Sequence, residues 1–167
     1  MTANASTVVL CDLDSTIRNS SQRHHLSPVN NPSSTWHDYS VAGINDTPMP
    51  GTITLLRLLS PYHQVHIISG SNESARNETM SWLRTHVGLN YIDAVRLRSF
   101  DDTLDGAPTP NGAYKVAYAR ELEARGLQVV LALDDWPEVV TALSDAGYPV
   151  ICVSAMYPCP SCGAAPG

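Results

Sequence analysis

The sequence lacks several features that would place it in other classes of protein. No apolar run approaches the length of a membrane-spanning helix. Residues 1–7 are short and polar, without the basic start and apolar middle of a signal peptide. The net charge of -6 argues against a broad basic face that coats nucleic acid, although such a protein can still grip one strand end. We therefore expect a soluble intracellular protein.

Cysteine is also scarce, because the chain has only four, and they do not form the framework of a secreted protein. Cys11 and Cys152 lie in apolar runs and are expected to pack as small core residues. Cys159 and Cys162 form a single CPSC motif, which supplies two of the four ligands that a tetrahedral zinc site needs. We therefore expect residues 157–167 to be a flexible Cys/Pro/Gly tail without zinc.

What the sequence does contain is an alternation of short apolar runs with segments of helical length. Buried strands are predicted at 7–11, 64–68, 93–98, 129–133 and 149–153, and helices at 51–60, 72–86, 113–125 and 136–146. A chain of 167 residues suits one domain, placed here at residues 1–156. The alternation predicts an α/β fold in which a Rossmann-like parallel sheet is covered by helices.

Two segments interrupt this alternation. Residues 18–49 are rich in Ser, Asn, Pro and Gly and are too long for a simple connection between a strand and a helix. We expect them to form a small cap or substrate insertion after the first strand. Within it, Trp36 and Tyr39 either stack on a base or pin the insertion to the sheet. Residues 99–112 form a second polar loop.

Polar residues follow three of the predicted strands: Asp12 and Asp14 the first, Ser69 and Gly70 the second, Asp134 and Asp135 the fourth. Because parallel strands share one carboxyl edge, where such sheets bind ligands, these residues should meet there. Strand alternation would point the carboxylates of Asp12 and Asp14 the same way. Two like charges so close are tolerable if a cation lies between them or if one carboxyl keeps its proton.

The order of these motifs resembles the haloacid dehalogenase-type (HAD) phosphohydrolase superfamily, over roughly residues 7–155. The matching elements are DLDST at 12–16, Ser69-Gly70, Lys115 on a later helix, and Asp134-Asp135. The resemblance implies a HAD fold and the hydrolysis of a phosphate monoester through an aspartyl-phosphate.

Roles for five residues follow from this resemblance. Asp12 would be the nucleophile, and Asp14 would protonate the leaving oxygen and then activate water. Mg²⁺ would be held by Asp12, by the backbone carbonyl of Asp14 and by Asp135, with Asp134 supporting from behind. Lys115 would neutralise charge on the phosphoryl group and on the nucleophile.

A closer resemblance is to the 3′-phosphatase half of phage polynucleotide kinase-phosphatase, carried by residues 45–89, 95–98 and 131–153. It implies a substrate with a 3′-phosphate on a DNA or RNA end, a role in repair during phage infection, and a location in the host cytoplasm. A 5′(3′)-nucleotidase or other small-molecule phosphatase is the enzymatic alternative. A HAD-fold protein that only binds is another. The sequence has no GxxxxGK[ST] motif, so a kinase or ligase would be a separate partner chain.

The family pattern also implies contacts to the substrate phosphate by Thr16, Ser69, Gly70 and Ser71. After DxDxT the family has an arginine, for which Arg23 and Arg18 are rival candidates. The chain departs from the family at three positions: Ser15 stands where Gly is usual, Ser71 where Arg is usual, and Asn111 where Asp is usual. Arg76, one turn along the helix, is the candidate to compensate for Ser71, and Asn111 removes an expected partner of Lys115.

Overall fold

A five-stranded parallel sheet organises the protein. The computed structural model describes residues 6–99, 103–104 and 107–156. Its elements in chain order are β1 (Thr7–Cys11), β2 (Arg18–Asn19), α1 (Trp36–Ala42), β3 (Thr47–Pro48), α2 (Pro50–Leu59), β4 (Gln64–Asn72), α3 (Arg76–His86), β5 (Ala94–Arg98), β6 (Thr103–Leu104), β7 (Ala107–Pro108), α4 (Asn111–Ala124), β8 (Gln128–Asp134), α5 (Pro137–Asp145) and β9 (Val150–Cys152).

The strand order is β5-β4-β1-β8-β9, and every neighbouring pair is parallel. Successive side chains of β1 enter opposite cores, because a strand points alternate residues to opposite faces. Val9 and Cys11 are buried with Trp82 of α3, whereas Val8 and Leu10 are buried with Leu122 of α4. Helices α2 and α3 therefore cover one face and α4 and α5 the other, which confirms the predicted α/β fold.

The five strands and four helices predicted around the sheet are all present, with bounds that differ by a few residues. The largest difference is in β4, which runs to Asn72 instead of ending at 68. Because the chain stays extended, α3 begins only at Arg76, after a 3₁₀ turn at Glu73–Ala75. The side chain of Asn72 caps that turn by accepting from the amide of Ser74 at 2.8 Å.

The insertion at 18–49 contains more secondary structure than its composition suggested. Strands β2 and β3 pair as an antiparallel ribbon, and α1 lies between them. Helix α1 begins with a capping box in which Thr35 accepts from the amide of Asp38 and the Asp38 carboxylate accepts from the amide of Thr35. This Thr-x-x-Asp signature was the local signal for the helix. The part of the polar loop at 99–112 that is described forms a small β6–β7 hairpin.

Cys11 is buried in the core, as predicted, whereas Cys152 is only half-buried and belongs to neither core cluster. Cys159, Cys162 and the rest of the predicted tail lie outside the described residues. None of the helices in the described ranges combines the length and apolarity needed to cross a bilayer.

Candidate active site

Asp12 and Asp14 follow β1 at the carboxyl edge of the sheet. The amide of Asp12 donates to the carbonyl of Leu133 at 2.9 Å, which keeps this residue against β8. The chain then turns, because the carbonyl of Leu13 accepts from the amide of Arg18 at 3.0 Å. The two carboxylates bind different partners, Asp12 the ammonium of Lys115 and Asp14 the guanidinium groups of Arg18 and Arg23. That both carboxylates point the same way stays a prediction.

Lys115 lies between two buried carboxylates on the sheet side of the site. Its ammonium donates to Oδ1 of Asp12 at 2.5 Å and to Oδ2 of Asp134 at 2.6 Å. The other oxygen of Asp134 accepts from the amide of Trp136 at 3.0 Å, which fixes this carboxylate just before α5. With Asp135, the next residue, these groups form what we call the sheet-side cluster: Asp12, Lys115, Asp134 and Asp135.

The sheet-side cluster carries more negative than positive charge, because it has three carboxylates and one ammonium. Burial raises the pKa of Asp12 well above its usual value; Lys115 opposes this rise, and the nearby carboxylates add to it. Burial and Asp134 raise the pKa of Asp135 to about 6. Burial would lower the pKa of Lys115, but Asp12 and Asp134 raise it above its usual value. The cluster therefore calls for a further cation.

Magnesium fits this requirement. Within the described ranges no three His, Cys, Asp or Glu side chains converge as a complete metal site. The predicted ligand set needs only two, since it combines the carboxylates of Asp12 and Asp135 with the main-chain carbonyl of Asp14. Mg²⁺ is commonly bound by one or two carboxylates while water fills its other positions. Thr16 orients one member of this predicted set, because its hydroxyl donates to Oδ1 of Asp135 at 3.3 Å.

Two arginines from the insertion hold Asp14. Nε of Arg18 donates to Oδ1 of Asp14 at 2.5 Å, and Nη2 of Arg23 donates to the same oxygen. Nε of Arg23 also donates to Asp46 at 2.7 Å, and the hydroxyl of Ser71 donates to Oδ2 of Asp14 at 2.7 Å. We call these five residues, Asp14, Arg18, Arg23, Asp46 and Ser71, the cap-side cluster.

The cap-side cluster is neutral, since two carboxylates face two guanidinium groups. Burial would raise the pKa of Asp14, but Arg18 and Arg23 lower it to about 2. Arg18 is completely buried, and its guanidinium passes so close to Gly43 that a Cβ there would lie 2.6 Å from Cζ. Both arginines that the sequence presented as rivals therefore reach the site together.

A further contact attaches the insertion to the sheet, because the hydroxyl of Ser40 accepts from the amide of Asn72 of β4 at 3.1 Å. The Tyr39 ring lies 4.0 Å from the guanidinium of Arg23, a contact within the insertion that tests neither of the two roles expected of Tyr39. Of the surface of Trp36, 53% is exposed.

The turn predicted to bind phosphate lies beside the cap-side cluster. Ser69 and Asn72 pair with β5, but Gly70 and Ser71 between them bulge out of the ladder. The amide of Ser71 donates to the hydroxyl of Ser69 at 3.0 Å, which holds the bulge in shape. A Cβ at Gly70 would lie 2.9 Å from Oδ1 of Asn111, so glycine makes room for α4 to approach the turn.

The three departures from the family pattern are each accommodated. Ser71 lacks the family's guanidinium, but Nη2 of Arg18 donates to the Ser71 hydroxyl at 3.3 Å and so brings one to this position. Lys115 is held by two aspartates and needs no carboxylate at Asn111. Ser15 adopts a φ of 60°, the left-handed conformation that glycine would take without strain.

Arg76 is a predicted site residue that the structure directs elsewhere, as it does Thr16, whose buried hydroxyl donates to Asp135. The guanidinium of Arg76 binds the carboxylate of Glu73 and donates to the carbonyl of Val95 at 3.2 Å, on the β5 side of the sheet. Its compensation for Ser71 finds no support in these contacts. The sequence reasoning missed Asp46, a lone acid with no local motif, because only the folding of the insertion brings it to Arg23.

The fold matches solved HAD structures. One match, in two structures, is a chain of the Pnkp1/Rnl/Hen1 complex, with TM-scores of 0.66 and 0.63, identities of 19% and 18%, and coverage of 88% and 87% of this chain. The protein spans only 45% and 41% of those chains. No family model matches the sequence, and no curated protein matches it.

Two other matches are HAD enzymes of more similar length. A haloacid dehalogenase-like hydrolase from Streptococcus pneumoniae has a TM-score of 0.57 at 14% identity, covering 86% of this chain and 82% of its own. The heptose 1,7-bisphosphate phosphatase of B. bronchiseptica, complexed with magnesium and phosphate, has a TM-score of 0.53 at 15% identity, covering 86% and 78%. The protein therefore has the HAD fold.

Proposed function

We propose that the protein is a Mg²⁺-dependent phosphomonoesterase that works through an aspartyl-phosphate and acts on the 3′-phosphate of a nucleic-acid end. The observation that carries the proposal is the buried contact of Lys115 with Asp12 and Asp134 at the carboxyl edge of the sheet. An ammonium beside a buried carboxylate offsets the repulsion that a phosphate would otherwise meet there. The HAD fold supports the same chemistry.

The reaction has two steps. An oxygen of Asp12 attacks phosphorus while the bond from phosphorus to the leaving sugar oxygen breaks, and Asp14 gives its proton to that oxygen. Water then attacks the aspartyl-phosphate, Asp14 takes the proton from that water, and the phosphorus–oxygen bond to Asp12 breaks to release inorganic phosphate. Throughout, Lys115 keeps a positive charge 2.5 Å from the nucleophile.

Asp14 must leave its resting partners for this chemistry, since two arginines keep it ionised in the structure. A substrate phosphate carries more negative charge than one carboxylate and binds guanidinium groups at least as well. The phosphate would therefore draw Arg18 and Arg23 from Asp14 as it binds. Asp14 is then free to hold a proton.

The metal would be held by Asp12, Asp135 and the main-chain carbonyl of Asp14. When bound, Mg²⁺ neutralises charge on the phosphoryl oxygens. Asp134 orients Lys115, and Thr16 orients Asp135, so both residues hold the groups that contact substrate or metal in position. These supporting contacts exist before any ligand binds.

Two observations support the proposal of a nucleic-acid substrate. The first is the resemblance to phage 3′-phosphatases in the sequence. The second is the fold match to a chain of a complex described as an RNA repair complex. A separate kinase or ligase chain, as an end-healing pathway would need, stays a prediction, as does a location in the cytoplasm of the host.

The test is phosphate release from a short oligonucleotide with a 3′-phosphate, measured with Mg²⁺ and with EDTA. The same oligonucleotide with a 5′-phosphate is the substrate control. Asp12→Asn removes the nucleophile, and Asp145→Asn, at an exposed position at the end of α5, is the matched variant. We expect release from the 3′ end alone, lost with EDTA and with Asp12→Asn and kept with Asp145→Asn.

Other outcomes lead to other functions. Release from free nucleotides but from neither oligonucleotide would contradict the end-healing role and favour a 5′(3′)-nucleotidase. No release from oligonucleotides, nucleotides or an aryl phosphate would leave a HAD-fold protein that only binds.

A further inference from the structure

Arg98, the last residue of β5, has a guanidinium that the active-site chemistry does not use. Among the described residues, its Nε and Nη2 atoms are shielded from water and have no hydrogen-bond partner. Its Cζ lies 4.8 Å from the centre of the Tyr114 ring, and this ring contact satisfies none of the N–H donors. Native proteins rarely leave buried donors unsatisfied, so a missing partner is expected here.

The position of Arg98 is fixed by the sheet. The residue pairs with Asn72, which directly follows the Gly70–Ser71 bulge. Arg98 therefore lies on the strand next to the turn that is proposed to hold the terminal phosphate. Arg98 as a whole is only partly buried, whereas its Nε and Nη2 atoms are shielded, so a ligand at this edge contacts them once the guanidinium turns away from the Tyr114 ring.

The outer side of the same edge carries further arginines. Arg96 lies two residues before Arg98 and so shares its face of β5. Nearly half of its side chain is exposed, and Glu121 is 4.0 Å away. Arg96 helps to line a cavity of about 360 Å³ together with Glu73, Arg76, Leu97 and Ser99. Glu73 pairs with Arg76 and Glu121 faces Arg96, which leaves Arg98 as the arginine of this edge that faces no carboxylate among the described residues.

We propose that Arg98 binds a second phosphate of the substrate, the phosphodiester next to the terminal phosphate of a single strand. The strand would then continue along the β5 edge toward Arg96. Guanidinium groups bind phosphate oxygens through paired N–H donors, and Nε and Nη2 of one arginine form such a pair. The proposal rests on the proposed function and specifies its substrate as a polynucleotide.

The charge distribution supports a strand over a mononucleotide. The protein has ten Lys and Arg side chains and a net charge of -6, so anions are attracted only locally. Lys115, Arg18 and Arg23 serve the terminal phosphate. A substrate with one phosphate leaves Arg98 without a partner, whereas a strand brings a phosphodiester within reach of it.

The experiment compares substrates with and without a second phosphate. Initial rates are measured for an aryl phosphate, a nucleoside 3′-monophosphate and oligonucleotide 3′-phosphates of two to ten nucleotides, at several salt concentrations. Arg98→Gln keeps a polar side chain and removes the charge, Arg98→Lys keeps the charge, and Arg84→Gln removes the same charge from an exposed site on α3. Thermal melts check that each variant folds.

We expect Arg98→Gln to raise KM for oligonucleotides about 10- to 100-fold more than KM for the mononucleotide, as the loss of one charged hydrogen-bonding contact implies. The slope of log Kd for the oligonucleotide against log salt concentration should become shallower by about one, the contribution of one phosphate contact. Arg98→Lys should restore part of the loss. Arg84→Gln should change neither KM nor the salt slope. Equal losses on all substrates, or none, would overturn the proposal.

Binding separates this proposal from the proposed function. If the wild-type protein hydrolyses no phosphate ester, the proposed function fails, and fluorescence anisotropy with a labelled 3′-phosphate oligonucleotide still measures the Arg98 contact. Weaker binding by Arg98→Gln than by Arg84→Gln would then support the second-phosphate site. Equal binding by both variants, or no binding by the wild type, would overturn it.

Discussion

The sheet-side and cap-side clusters are built from the same kinds of residue and reach opposite electrostatic states. In the first, three carboxylates share the single charge of Lys115, and the pKa values of Asp12 and Asp135 rise. In the second, Asp14 and Asp46 face two arginines, and the pKa of Asp14 falls to about 2. Asp12 and Asp14 are two residues apart, so the partners and not the sequence position set their chemistry.

The difference separates two tasks. In the proposed function, the cluster with excess negative charge would hold a cation and, with it, a phosphate, and it costs stability until they bind. A neutral cluster is satisfied without ligand and fastens the insertion to the strand edge. Substitutions that act on one cluster alone should therefore have effects of different kind and size.

The largest effect should come from removing the one cation of the sheet-side cluster. Lys115→Met leaves the buried carboxylates of Asp12 and Asp134 facing each other, and breaking a buried ion pair in this way costs about 3–5 kcal/mol. Urea unfolding with EDTA measures the change, and phosphatase activity should vanish. The matched variant Arg84→Met, exposed on α3, should change the free energy of unfolding by less than about 0.5 kcal/mol.

A second variant tests whether the lost stability comes from unpaired charge or from lost packing. Adding Asp134→Asn to Lys115→Met removes part of the unpaired charge and should restore some of the lost stability. If the single variant were as stable as the wild type, Asp12 and Asp134 would not both be charged. The contrast between the two clusters would then be wrong.

Asp46 tests the cap-side cluster by a smaller change. Asp46→Asn keeps the shape of the side chain but removes the charge that Arg23 and Arg18 face at 2.7 and 3.7 Å. A hydrogen bond to a charged group contributes about 1.5–3 kcal/mol, so the free energy of unfolding should fall by about that amount. Limited proteolysis should also cut the insertion at 18–49 faster.

The loss of stability in Asp46→Asn should be the same with and without divalent cations.

The control for proteolysis is an arginine away from the cap-side cluster. Arg57→Gln is unsuitable because the guanidinium of Arg57 donates to the carbonyls of His86 and Val87. Arg125→Gln, at an exposed end of α4, is the better one and should leave proteolysis unchanged. Faster cleavage in Arg125→Gln as well would mean that the insertion is not held by this cluster.

Magnesium should act on the sheet-side cluster alone. At ten times its dissociation constant a ligand that binds only the folded state stabilises it by about 1.4 kcal/mol, so Mg²⁺ should raise Tm in a thermal melt. Asp135→Asn removes a ligand and a repelling charge; it should raise the Tm of the metal-free protein and abolish the response to Mg²⁺. Asp46→Asn should keep that response. A response retained in Asp135→Asn would contradict the assigned ligands.

The sequence predicted the sheet-side cluster better than the cap-side cluster, for a physical reason. Asp12, Asp134 and Lys115 lie on regular elements, and parallel strands bring their carboxyl ends to one edge whatever the loops do. Asp46 and the two arginines lie in an irregular segment, whose path depends on packing that no local pattern shows. For this reason the sequence left Arg18 and Arg23 as alternatives, whereas in the structure both contact Asp14.

The prediction that Arg76 compensates for Ser71 fails for a related reason. The place of Arg76 one turn along the helix assumed that α3 begins right after the phosphate turn. Strand β4 instead stays extended to Asn72 to pair with Arg98, and this longer strand carries Arg76 to Glu73 and the β5 side. A two-residue bulge is invisible to strand periodicity, which counts only apolar alternation.

Ser15 joins the two clusters and provides the smallest and most local test. It lies between Asp14, which faces the arginines, and Thr16, which faces Asp135, and the chain crosses from one to the other at a φ of 60°. For a residue with a Cβ this conformation costs about 1 kcal/mol, and the Ser15 hydroxyl offsets it through a 2.7 Å hydrogen bond to Ser20.

Two substitutions separate the strain at Ser15 from this hydrogen bond. Ser15→Ala loses the bond and keeps the Cβ, so it should lower the free energy of unfolding by about 1 kcal/mol. Ser15→Gly loses the bond and the strain together, so it should lie close to the wild type and above Ser15→Ala by about 1 kcal/mol in urea unfolding. If both variants lost the same stability, the left-handed turn would carry no strain. Phosphatase activity should survive both substitutions, because neither changes a carboxylate. A loss of activity confined to Ser15→Gly would mean that the restricted backbone at residue 15 is needed to hold the two clusters in position.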